Sequence, residues 1–377
     1  MMSTDGFSLV EATLHPYTIA LKHPFRISAG EIREKHGLLI EVRADNGLTG
    51  WGEASVDRVP FYAHETVGSA IDLIRNSLMP LMRGRKLAHP DEAIAWMDHY
   101  RGGNFAKAAI DAAAWDIYGQ MCGKPCWQLL GGVRDTVESG PSMGIKEHPD
   151  MLCDAVGEQL DRGMRRIKLK VMPGKDFDYI AAVRRRYPEI TLMVDANNAY
   201  GIGDFAELAR WDDFNLLMIE QPLDERDIYF HSLLRRKITS PICLDESIHT
   251  PHDAECCAAL EAADIVNIKV CRTGGLTRAR QIHDICQRHN IRNWIGSRVG
   301  SGVAEAPRLA AATLPNCTLA SDCVFSMMYM SDDILAEPYT MSGCMIRLSP
   351  KPGLGITVDR DKLRRYAPSP LRSEEHT

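Results

Sequence analysis

No stretch of the 377-residue chain reaches the roughly 18 consecutive apolar residues that a membrane-spanning helix needs. Nor is there a long basic run. The formal net charge is −6, and Arg184-Arg185-Arg186 and Arg235-Arg236-Lys237 read as solvated helix ends or loops, so no attraction to nucleic acid or anionic lipid is indicated. The N-terminus carries Asp5 and Glu11 where a secretory signal has a basic segment and an apolar core, so a cytoplasmic location is expected. Eleven cysteines lack paired zinc spacing: Cys122 and Cys126 are too far apart for a CxxC motif, and Cys256 and Cys257 are adjacent. Buried free thiols in a reducing compartment are the expectation. The glycine pairs Gly102-Gly103, Gly131-Gly132 and Gly274-Gly275 lack the spacing of a nucleotide-binding loop and read as turns. What is present is the balance of an ordinary globular protein, 45% hydrophobic and 25% charged. The length fits an α/β barrel of roughly 250 residues plus a smaller domain.

The order of elements supports that division. Residues 7–20 and 37–52 read as strands, with Asp45-Asn46-Gly47 as a turn, and residues 64–83, 91–100 and 104–121 read as helices. In the last of these Ile110, Ala113, Ala114 and Ile117 give an apolar face at helical spacing. Strands followed by helices make an α+β unit. The stretch from His23 to Gly30 reads as a loop able to fold over a site elsewhere. From about residue 136 short apolar strands alternate with amphipathic helices. The expected strands are 137–142, 166–171, 191–196, 216–220, 241–245, 265–269, 292–296 and 318–322. Eight such parallel units favour a closed barrel.

The charges sit where a barrel keeps its chemistry, at the C-terminal ends of its strands. In order these are Lys168 and Lys170, Asp195 with Asn197, Glu220, Asp245 and Lys269, and most of them close an apolar run. Alternation along a strand turns Lys168 and Lys170 the same way, and likewise Asp195 and Asn197. Three carboxylates converging on one mouth repel each other unless a cation joins them. An oxygen-only set without His or Cys points to Mg2+ (or Mn2+) over zinc. The lysines flank the acids from the second and sixth strands. A lysine beside another cation and partly desolvated has its pKa lowered and becomes a usable base, with Lys168 placed to act so on Lys170.

With these residues the sequence resembles the enolase superfamily, specifically its muconate-lactonizing branch. The matching segments are Lys168-Leu169-Lys170, Val194-Asp195-Ala196-Asn197-Asn198, Ile219-Glu220-Gln221-Pro222, Leu244-Asp245-Glu246-Ser247 and Asn267-Ile268-Lys269, with Gly50-Trp51-Gly52-Glu53 and Pro352-Gly353-Leu354-Gly355 outside the barrel. The resemblance implies a (β/α)7β-type TIM-like barrel with an N-terminal α+β capping domain completed by the C-terminal tail. The expected boundaries are 1–130 for the cap, 131–345 for the barrel and 346–377 for the return to the cap. Cap loops near residues 23–30 and 51–56 would close over the barrel, which brings in Phe25 and Arg26 as substrate contacts. Asp195, Glu220 and Asp245 would hold the metal, and Lys170 and Lys269 would act as acid and base on opposite faces of a small carboxylate substrate. Barrels of this resemblance assemble as dimers or octamers.

The seventh strand carries no His, which disfavours the mandelate racemase branch. The segments around Glu220 and Asp245, with Arg272 three residues after Lys269, look most like o-succinylbenzoate synthases and N-succinylamino acid racemases. The other readings are muconate cycloisomerase, proline-betaine epimerase and dipeptide epimerase; the last is marked down because only Asp322 remains of its Asp-x-Asp. A metal-binding barrel without catalysis would be expected to have lost a lysine or a clear mouth, and both lysines are kept. Glu246, Arg272, Ser297 and Asp322 complete the residues expected to touch the substrate or to support those that do. Where the racemases carry Gly-Gly-Met-Leu-Glu, this chain reads Gly296-Ser297-Arg298-Val299-Gly300. Arg298 is expected to enter the pocket and pair with a second anionic group of the substrate.

Overall fold

The computed structural model describes residues 6–27, 30–60, 62–323 and 325–373. The chain opens with three antiparallel strands, β1 (Leu9–Ile27), β2 (Gly30–Ala44) and β3 (Thr49–Ala54). The expected loop at 23–30 is mostly strand. β1 continues past a bulge between Ala20 and Phe25 and pairs Arg26 with Glu31, while Ser28 and Ala29 lie outside the described residues. Of Phe25 and Arg26 only the backbone is described, so their expected substrate contacts fall outside the description too.

Helical segments follow as α1 (Val67–Leu73), a π-turn (Ile74–Leu78), α2 (Met79–Met82), α3 (Asp91–Met97) and α4 (Asn104–Cys122). α4 lies flat on the sheet because β3 presents glycines to it. A Cβ at Gly52 would stand 1.9 Å from the Ala109 carbonyl oxygen, and one at Gly50 would stand 2.2 Å from that of Ala113. The helix is buried on nearly every side, since the barrel covers its other face. Trp115 Nε1 donates to Thr277 Oγ1 at 3.0 Å across that contact.

The barrel strands are β5 (Ser142–Met143), β6 (Arg166–Lys170), β7 (Thr191–Asp195), β8 (Ile219–Glu220), β9 (Ile242–Leu244), β10 (Ile265–Ile268) and β11 (Arg292–Ile295). All are parallel, in the order β11-β10-β9-β8-β7-β6-β5. Two expectations need correction. Residues 137–142 split into β4 (Thr136–Glu138), which pairs outside the barrel with β13 (Met345–Arg347), and β5. Between them Gly140 sits against Arg166, where a Cβ would stand 2.6 Å from Nε, and Pro141 supplies no N–H to a ladder. Residues 318–322 form no strand. They join the two ends of the sheet through one parallel bridge, Ser139 to Ser321, and through hydrogen bonds from Asp322 N to Ile295 O and from Ile295 N to Ser321 Oγ.

Alternation fills the barrel. Met193, Met218, Cys243, Ile265 and Trp294 form one small apolar cluster, while Leu192, Val194, Ile219, Leu244, Val266 and Ile268 belong to the large core shared with the helices. The tail returns to the cap, where β14 (Leu371–Arg372) pairs with β1. On the way Leu354 N donates to Asp116 of α4 at 2.8 Å, and the same carboxylate accepts from Trp51 N at 3.0 Å. The eleven cysteines are free thiols, and most are buried.

Candidate active site

One step beyond the apolar layer in the barrel, the inward positions become charged. Lys170, Asp195 and Glu220 end β6, β7 and β8, and Asp245 and Lys269 directly follow β9 and β10. The register sets them side by side, with Lys170 opposite Asp195 and Asp195 opposite Glu220. The two lysines therefore flank the three acid-bearing strands. The strand ends also hold non-glycine residues in the left-handed region, at Asn197 (φ 44), Asn198 (φ 65) and Gln221 (φ 37). Such backbone persists where its surroundings fix it. Gln221 shows how: its Oε1 accepts from Asp245 N at 2.9 Å and Ser247 N at 3.2 Å.

The ammonium groups rest directly on the acids. Lys170 Nζ lies 2.6 Å from Asp195 Oδ2 and 2.6 Å from Asn197 Oδ1. Lys269 Nζ lies 2.5 Å from Asp245 Oδ2, whose other oxygen takes Arg272 Nη2 at 2.6 Å. Lys168 pairs with Asp195 at 3.4 Å, with Glu220 at 3.3 Å and closely with Asp322. Arg166 pairs with Asp322 at 2.6 Å. One cation thus stands for each carboxylate among Arg166, Lys168, Lys170, Lys269 and Arg272 against Asp195, Glu220, Asp245, Glu246 and Asp322.

Burial and these partners set the protonation. Burial pushes the Glu220 carboxyl well above its usual range, Asp195 and Asp245 add to the shift, and Lys168 only partly opposes it. For Lys269 burial works downward, but Asp245 and Glu246 outweigh it and the pKa is raised. Lys168 is raised likewise against burial, by Asp322, Glu220 and Asp195. Lys269 and Lys168 are therefore held protonated in this arrangement, because the carboxylates outweigh both burial and the neighbouring cations.

The other expected residues divide. Asn197 Nδ2 donates to Glu246 Oε1 at 2.9 Å, so both belong to the site. Arg272 clamps Asp245 and donates from Nε to Ile248 O at 3.1 Å, which makes it a support of the strand end. Asp322 holds Lys168 and Arg166. Ser297 turns away: its hydroxyl accepts from Arg308 at 2.9 Å and lies 3.4 Å from Glu305, both on the helix Gly302–Ala312. Arg298 is buried against the cap, paired with Asp57 and stacked 4.5 Å from the Tyr62 ring centre.

Two residues outside the expected set complete the site. Asn267 Nδ2 donates to Glu220 Oε1 at 2.6 Å. Tyr62 of the cap donates from its hydroxyl to Glu246 Oε1 at 2.7 Å and accepts from Lys269 at 2.6 Å. Beside the charges a cleft of about 650 Å³ runs between Lys22–Pro24 of the cap hairpin and Ser142–Ile145 of the barrel. Ser142 is in register with Lys168, so one wall of the cleft meets the lysine strand.

Among the described residues no three His, Cys, Asp or Glu side chains form a ready-made metal cage. The donor chemistry nevertheless fits a divalent cation. Three buried carboxylates stand on adjacent strand ends, where Asp195 and Asp245 add to the burial that raises Glu220, and their oxygens are shared by the lysine heads, Arg272 and Asn267.

Comparison with known proteins agrees with this architecture. Residues 9–131 match the family described as the mandelate racemase / muconate lactonizing enzyme N-terminal domain, and residues 152–362 match the enolase C-terminal domain-like family. The chain is 38% identical to an o-succinylbenzoate synthase of Bacillus subtilis (strain 168), over 94% of this chain and 95% of that one. It is 39% identical to an N-succinylamino acid racemase of Amycolatopsis sp, over 88% and 90%. A solved enolase-superfamily structure from Listeria innocua superposes with a TM-score of 0.94 at 31% identity, covering 97% of this chain and 99% of that one. The chain is therefore an enzyme of the enolase superfamily, belonging to its mandelate racemase/muconate lactonizing branch.

Proposed function

We propose that the protein removes the α-proton of a carboxylate substrate, using Lys170 and Lys269 on opposite faces and Mg2+ (or Mn2+) held by Asp195, Glu220 and Asp245. The observation that carries this reading is the placement of the two ammonium groups on either side of the three acid-bearing strand ends. Bound Mg2+ would neutralise the charge that builds on the substrate carboxylate as its α-proton leaves. With Asp245 engaged elsewhere, the largest influence raising the Lys269 pKa is gone, and burial with Arg272 then works downward against Glu246 and Glu220, which brings the amine toward use as a base. Lys168, tied to Asp322, stays protonated and holds a fixed positive charge beneath Lys170.

The product depends on where the proton goes next. Return of a proton from the opposite lysine racemises or epimerises an N-acyl amino acid, with N-succinyl as the favoured acyl group. If a β-hydroxyl lies on the face of Lys170, that lysine serves as base and then as acid, and syn dehydration gives o-succinylbenzoate. The similar proteins carry names for both reactions, and both begin with the same step. Proton NMR in D2O on N-succinyl amino acids is the test. The α-signal is expected to wash out with enzyme and Mg2+, and to persist after chelation. Persistence with Mg2+ across the N-acyl series, together with no dehydration product, overturns the proposal.

A further inference from the structure

Arg298 is 8% exposed, and of its guanidinium nitrogens only Nη2 has a hydrogen-bond partner among the described residues, Asp57 Oδ2. Nε and Nη1 are buried without an acceptor. A buried charged donor left open is costly and calls for an explanation. A purely structural clamp would close both edges of the guanidinium, yet here each edge keeps one open donor beside the Nη2 that Asp57 occupies. Asp57 does not depend on Arg298, since Lys35 Nζ stands 3.3 Å from its Oδ1.

The position is as informative as the vacancies. Arg298 follows β11, whose last residue, Ile295, pairs with Ile268 beside Lys269. One aromatic ring links the two cations: the Tyr62 ring centre is 4.5 Å from the Arg298 guanidinium carbon and 5.0 Å from Lys269 Nζ. An N-succinyl chain carries its distal carboxylate roughly 6 Å from the α-carbon, a span on the scale of that ring.

We propose that Arg298 receives the distal carboxylate of the substrate's N-acyl group, which takes one open donor together with Nη2 while Asp57 withdraws to Lys35. The result is a two-bond Arg–carboxylate pair that reads the acyl chain. This deepens, and rests on, the reading of the site as one for N-acyl amino acids.

Calorimetry with N-succinylglycine and N-acetylglycine in the presence of Mg2+ tests it through binding alone. The wild type is expected to bind the succinyl ligand at least tenfold more tightly than the acetyl ligand. Arg298→Gln should bring that ratio close to one. Asp57→Asn should hold or widen it, because the competing carboxylate is gone. Opposite effects of the two variants are not produced by a structural clamp, whose loss on either side would weaken both ligands together. A ratio unchanged in R298Q, a ratio that collapses in D57N, or no succinyl preference in the wild type overturns the proposal. The α-proton reading fails separately: a succinyl preference that R298Q abolishes, with no deuterium exchange in either ligand, leaves the carboxylate reader standing and removes the two-lysine chemistry.

Discussion

The Tyr62 hydroxyl belongs to a hydrogen-bonded line that spans the site. Lys170 donates to Asn197, Asn197 and Tyr62 donate to Glu246, and Lys269 donates to Tyr62. Only the Lys269 end touches the cap. Tyr62→Phe removes the hydrogen bond from the Lys269 amine together with the one to Glu246, so about a tenfold loss of exchange is expected for the enantiomer served by Lys269, with a much smaller loss for the other. Comparing α-deuterium exchange of the two enantiomers measures this, and equal losses would assign Tyr62 to general packing. The strand-end positions of Lys170, Asn197 and Lys269 were legible in the sequence, because Asp195, Glu220 and Lys269 close apolar runs and strand alternation sets Lys170 with Lys168 and Asn197 with Asp195. Asn267 was within reach of the same reasoning, two residues before Lys269 on one strand. Tyr62 was not, since it stands in an irregular cap segment with no period and meets Glu246 184 residues away in sequence. Ser297 was misplaced because the chain leaves the strand after Ile295, and alternation no longer governs where a side chain points.

Elements with strong periodicity were legible in the same way. α4 and the barrel strands from β6 to β11 lie close to where their apolar patterns put them. Failures came where neighbours outside the local pattern decide the outcome. Residues 318–322 have strand-like composition but join the sheet by one bridge, and the cap hairpin extends through residues whose turn-like composition suggested a loop. α4 also carries a conflict that periodicity cannot show. Burial raises the Asp111 carboxyl to about 7, although Thr277 donates its backbone N–H at 3.3 Å, and Oδ1 has no partner among the described residues. A carboxyl raised above its unfolded value of about 3.9 stabilises the fold fully below that value, and the contribution is lost as pH rises through about 7. Asp111→Asn is therefore expected to raise stability at pH 8 by about 1–2 kcal/mol and to change little near pH 4. Thermal melts across that range decide the matter. A gain independent of pH, or one larger in acid, would contradict the assignment.

At the scale of the whole molecule the cap meets the tail on one side and the charged mouth of the barrel on the other. Asp116 ties β3, α4 and the tail together beside the barrel, and Asp57 and Tyr62 bring the cap down onto Arg298 and Lys269. The charged interior holds five cationic side chains and five carboxyl groups before any substrate arrives. On the proposed function a divalent cation and a dianionic substrate would enter together without adding net charge to a buried place. The sequence makes the two-domain plan readable because strands-then-helices changes to strict alternation near residue 136. It does not reveal which cap residues reach the mouth, since those contacts join segments with no shared pattern.

The central claim is that two lysines on opposite faces each handle one stereochemical course. α-Deuterium exchange of both enantiomers of an N-succinyl amino acid, followed by NMR with Mg2+ in the wild type, Lys170→Ala and Lys269→Ala, tests it most directly. The wild type should exchange both enantiomers. Each variant should lose exchange of one, and the two variants should lose opposite ones. Loss of both enantiomers in one variant with neither lost in the other would contradict the two-faced site.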